Sequence, residues 1–176
     1  MLDRIKQYAP HVIAVFAAIV FLDSLRYKFT NAPETQQIFG LLNNWAASLG
    51  AEGLFAQTGL FSQYVIGSAE LVATACLLLG THPALRRLQG FGALVAFAVM
   101  SGAVNFHLWT PLGIDPNNDG GGLFFMACVV WATSIVLIVI RRHELAALGR
   151  GLAAAVVLPR PADSGLQTPD MQGARL

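Results

Sequence analysis

Residues 123–140 read LFFMACVVWATSIVLIVI, eighteen positions without a charge, stopped by Arg141 and Arg142. A helix needs roughly 20 apolar residues to cross hydrocarbon, so this run constrains the chain to a membrane setting more strongly than any other feature. Apolar runs of similar length recur at 9–28, 61–80 and 88–109. Charged residues make up 12% of the 176 residues, against about 25% in an ordinary soluble domain. The fold class expected is all-α: a transmembrane four-helix bundle with spans at about 9–28, 61–80, 88–109 and 123–140.

The first run is the weakest, being strictly apolar only over 12–22. Asp23, Leu25 and Arg26 stand where a leader peptide would carry its small-residue cleavage site, so it reads as an uncleaved span. Without it the chain would have three spans, and its N-terminus and the 30–60 segment would lie outside. In that segment Pro33 and Glu34 suit a first helical turn. Ile38, Leu41, Leu42, Trp45 and Leu49 then recur at helical spacing, which predicts an amphipathic helix at the membrane surface or capping the bundle. Residues 144–158 predict a second surface helix, and the Pro- and Gly-rich tail 159–176 predicts disorder.

Arg4, Lys6, Arg86, Arg87, Arg141, Arg142 and Arg150 fall on one side of this topology, and only Arg26 and Lys28 on the other. The positive-inside rule therefore puts both termini in the cytoplasm. There is no basic stripe of the kind a nucleic-acid binder needs.

Within the second run, FSQYVIGSAELVATACLLLG, Glu70 is the one ionisable side chain in the middle of a span. Gln63, Gly67, Glu70 and Thr74 share a helical face, which should point into the bundle. Glu70 lies ~13 Å below the outer edge, near the midplane. A carboxyl group at that depth is costly and marks a functional site by default. Three readings compete: a structural hydrogen bond between helices, a proton or ligand site, and a salt bridge to Arg26. Asp23 and Arg26 end the first span, and Asn105 and His107 end the third, so the polar residues gather in the outer half. Glu70, Asp23, Arg26, Gln63, Asn105 and His107 are the candidate ligand or proton-site residues, around a pocket open to the outside. Asp23 and Arg26, three apart, also suit a local pair. Asn105 and His107, two apart, point to nearly opposite sides of their helix.

Other motifs carry less. Cys76 and Cys128 lie at different depths, too far apart for a disulfide, and read as packing residues. The histidines lie near the two faces and do not make a haem pair. Asp115, Asn117, Asp119 and Gly120 match the opening of a calcium loop. Its twelfth position is Met126, where a bidentate Glu is required, so the stretch reads as a turn and no metal site is expected.

In combination, FLDSLRYKFTNAPETQQIF leaving the first run, YVIGSAELVATACLLLG around Glu70, and NFHLWTPLGI leaving the third resemble the DoxX family of small four-helix bacterial membrane proteins. The similarity covers roughly residues 10–142. It implies a membrane subunit of a quinone-linked oxidoreductase or of a redox complex for oxidative-stress defence, and supplies no catalytic residues. The chain holds no redox centre of its own, so this reading implies quinone as the cofactor and a soluble or membrane redox protein as the electron donor. The lipid bilayer and a second copy of the chain complete its expected partners. Two other classes stand beside it. A small proton-coupled transporter would use Glu70 as its proton site, although no internal repeat supports it. A non-catalytic anchor would assemble partner proteins and tolerate loss of Glu70.

Overall fold

The computed structural model describes residues 2–157, which form helices and turns with no strand among them. Helix α1 runs Leu2–Phe29, α2 Pro33–Ser48, α3 Gln63–Leu79, α4 Arg86–Trp109, α5 Gly122–Ile140 and α6 Arg142–Val157. Three stretches are long and apolar enough to cross a membrane: Gln7–Phe29, Pro83–Trp109 and Gly122–Ile140. The helix of the second run is shorter than expected, 17 residues. Its start is fixed by Ser62, whose hydroxyl accepts a hydrogen bond from the Val65 N–H at 3.3 Å and caps the helix, leaving Phe61 in the loop. The expected tail, 159–176, lies outside the described residues.

Helix α3 packs along both α1 and α4, and α4 packs along α5. The shared core is built from small residues, Ala14, Ala17, Ala73, Ala93 and Ala96, with Phe21, Leu77 and Val130 filling between them. Two glycines let the backbones of α3 and α4 approach. A Cβ on Gly80 would stand 2.2 Å from the Gln89 backbone nitrogen, and one on Gly92 would stand 2.8 Å from that of Leu77. The outward faces are apolar: Val12, Ile19, Phe125 and Val139 are all more than half exposed. Water penalises such a surface and lipid does not.

Asn31 adopts the left-handed conformation (φ 56°) that ends α1, and Pro33 opens α2. One face of α2, through Leu42, Ala46 and Trp45, rests on Phe55, Phe106 and Leu112 over the end of α4. Leu41 and Leu49, expected on that face, are exposed. The start of α6 folds back on α4, where Leu145 covers Gly90, and residues 149–156 are exposed.

Candidate functional site

Gln63, Gly67, Glu70 and Thr74 are all buried on the inner face of α3, as the periodicity predicts. Glu70 is 2% exposed, and its partner is Lys28 from the last turn of α1. The Lys28 Nζ lies 3.0 Å from both Oε1 and Oε2 of Glu70 and also donates to the Ser24 hydroxyl one turn back. An ammonium has three N–H donors, so the three acceptors use all of them. Gly67 faces the lysine stem: a Cβ there would make ordinary van der Waals contact with the Lys28 Cδ at 3.5 Å. Sequence position puts Lys28 at the outer boundary; the side chain instead turns back along its helix, as the tilt of helical Cα–Cβ bonds favours.

Above the pair, Gln63 Nε2 donates to the Lys28 carbonyl and to Asn31 Oδ1, both at 2.9 Å, while its Oε1 accepts from Gln36 Nε2 at 2.8 Å. The Lys28 carbonyl is one of the orphan acceptors at the end of α1, so Gln63 caps that helix. Below the pair, the Thr74 hydroxyl is buried and has no hydrogen-bond partner among the described residues.

The remaining candidates do not join this centre. Asp23 and Arg26 pair with each other at 3.0 Å on the exposed side of α1, and the Arg26 guanidinium lies over the Tyr27 ring. Of the three readings of Glu70, a salt bridge to Arg26 is not made; the ion pair is formed by Lys28 instead, because Arg26 faces outward where Lys28 faces α3. Asn105 is exposed and donates to its own helix at the Ser101 carbonyl. His107 is buried, with Nδ1 2.6 Å from the Gly113 carbonyl and its ring against Phe124. The Gly80 and Gly92 contacts set the register of antiparallel α3 and α4, so Glu70 stands level with about residue 98. His107 is then ~13 Å further along the axis. The expected gathering of Asp23, Arg26, Asn105 and His107 around Glu70 does not occur; of the other candidates only Gln63 contacts the pair, at the Lys28 carbonyl.

A second buried polar centre lies at the opposite end. Gln89, fully buried, donates to the Pro10 carbonyl at 3.3 Å and accepts from Arg141 Nε at 2.7 Å. Arg141 also pairs with Glu144 at 3.3 Å. The arginine that stops the fourth run thus turns inward and ties α5 to α1 and α4. In the 110–121 loop, Asp115 and Asp119 carboxylates accept backbone N–H groups, and among the described residues no His, Cys, Asp or Glu cluster suits a metal.

No family model, curated protein or solved structure matches the chain.

Proposed function

We propose that the chain is a four-span integral membrane protein of the DoxX type, with α3 as its fourth span and α2 as a surface helix over the outer end. In this reading both termini are cytoplasmic, and the protein serves as the membrane subunit of a quinone-linked or stress-related redox complex. The observation that carries the reading is the Lys28–Glu70 pair. Two charges are held between helices in the least favourable solvent a protein offers, and a buried ion pair contributes little net stability for its desolvation cost. Function is the usual reason for keeping one.

Quinone reduction takes two electrons and two protons. In this reading a redox partner supplies the electrons. Lys28 and Glu70 supply a protonatable ammonium–carboxylate couple through which a proton can pass towards a quinone oxygen without crossing hydrocarbon unaccompanied. Gln63 holds the end of α1 and so fixes where the ammonium sits.

The test is quinone reduction in native membranes, driven by the partner's electron donor. Glu70→Gln removes the carboxylate that would accept a proton and keeps the shape. At least a tenfold loss of rate at unchanged protein level is expected, and full activity in that variant refutes the role.

A further inference from the structure

Helix α6 leaves α5 at the end of the bundle opposite the Lys28–Glu70 pair and crosses the first turns of α4. The crossing point is Gly90, where a Cβ would stand 2.9 Å from the Leu145 Cγ and 3.2 Å from the Arg141 Cβ. Gly90 is one turn along α4 from Arg86, ~6 Å inside it. An interfacial helix sits about 5–10 Å into the boundary between headgroups and acyl chains, so α6 starts at the height such a helix takes.

Leu145, Leu148, Leu152 and Val156 recur at intervals of three and four and form one apolar stripe. Its first half rests on the bundle. Its second half does not: Leu152 is 61% and Val156 85% exposed. His143 and Arg150, seven apart, share the opposite face and are exposed. Four exposed arginines stand at this end. Arg86 and Arg87 precede Gly90 by four and three residues, on the side of α4 that α6 crosses, and Arg142 and Arg150 lie on α6 itself. None of the four makes a salt bridge among the described residues, where the Glu144 carboxylate is taken by Arg141.

We infer that α6 docks on a membrane surface rich in acidic phospholipid. The Leu152 and Val156 end of the stripe enters the acyl boundary, and Arg86, Arg87, Arg142 and Arg150 meet the headgroup phosphates. Charge and position decide the occupant. A cluster of basic residues beside a span is drawn to anionic headgroups, and the apolar stripe lies at the depth where it can reach acyl chains. A second copy of the chain would bring the same four arginines to the contact and be repelled. The inference rests on the bundle spanning a bilayer and is independent of the redox reading.

The test places the purified full chain in nanodiscs of phosphatidylcholine alone, or of equal parts phosphatidylcholine and phosphatidylglycerol, and follows amide hydrogen exchange over residues 149–157. Exchange should be at least tenfold slower in the acidic discs. Arg142→Gln and Arg150→Gln should each speed it there about fivefold, the usual effect of one arginine at an acidic surface. Leu152→Ser with Val156→Ser should abolish the protection and leave exchange in the spans unchanged. Equal exchange in the two kinds of disc overturns the inference, whether fast or slow. So does protection in acidic discs that survives replacement of all four arginines by glutamine, which would mean that α6 is held by the chain itself. A chain that does not enter either disc overturns the membrane reading along with it.

Discussion

The Lys28 ammonium lies 3.0 Å from each carboxylate oxygen of Glu70, and Glu70 has no other charged partner among the described residues. Breaking a buried pair from one side leaves the other charge stranded, at a cost of about 3–5 kcal/mol. Lys28→Met should therefore lower stability by that order in denaturant unfolding in detergent. The double substitution Lys28→Met with Glu70→Leu should recover most of it, because an apolar pair of similar volume has no desolvation cost. A single substitution costing less than about 1 kcal/mol would mean that Glu70 is neutral or is solvated in the fold.

Glu70 and its face were legible because helical periodicity aligns Gln63, Gly67, Glu70 and Thr74 without any knowledge of neighbours. Its partner was not. Placing Lys28 by depth sends its head outward to water, which is right for a lysine with nothing beneath it. The available signal was Ser24, four residues before Lys28 and so on the same face of the helix. Residues 123–140 and 88–109 were legible from length and polarity alone. The helix of the second run was overestimated because Ser62 was read as part of the run and not as its cap. Asn31, Gln36 and Gln63 have no common spacing; only the way the chain folds between α1 and α3 brings them together.

The approach of α3 to α4 depends on two positions without side chains. Gly80→Ala places a methyl group 2.2 Å from the Gln89 backbone nitrogen, and Gly92→Ala places one 2.8 Å from that of Leu77. Each should lower the melting temperature, at about 1–3 kcal/mol for overpacking against backbone that must shift. Gly40→Ala, in open space within α2, should raise stability by up to about 1 kcal/mol through helix propensity. Equal effects at the three sites would show that the α3–α4 contact is looser than described.

Thr74 lies one turn from Glu70 with its hydroxyl buried and unpartnered. Thr74→Val replaces that hydroxyl with a methyl group of similar size and removes the cost of an unsatisfied donor, about 1–3 kcal/mol. The variant should be at least as stable as the native chain in thermal unfolding. A clear loss of stability would reveal a hydrogen-bond partner, such as an internal water linking Thr74 to the pair.

Asp119 holds the start of α5 from outside the helix. Its Oδ1 accepts the Gly121 N–H at 3.0 Å and its Oδ2 accepts the Leu123 N–H at 2.7 Å, while its own N–H donates to Asp115 Oδ1. Slight burial pushes this carboxyl upward, but the hydrogen bonds from the Leu123 and Gly121 backbone N–H groups outweigh it, and the group is held below the ordinary carboxylate value. A lowered value in the fold means that the carboxylate form is favoured there. Its contribution is complete above the unfolded value of about 3.9 and is lost as pH falls through the lowered folded value. Hydrogen exchange at the Gly121 and Leu123 amides, corrected for intrinsic rates, should show constant protection from neutral pH down to about 4 and loss only below that. Asp119→Ala should remove that protection at every pH. Protection that fades already between pH 6 and 5 would contradict a carboxylate stabilised by these bonds.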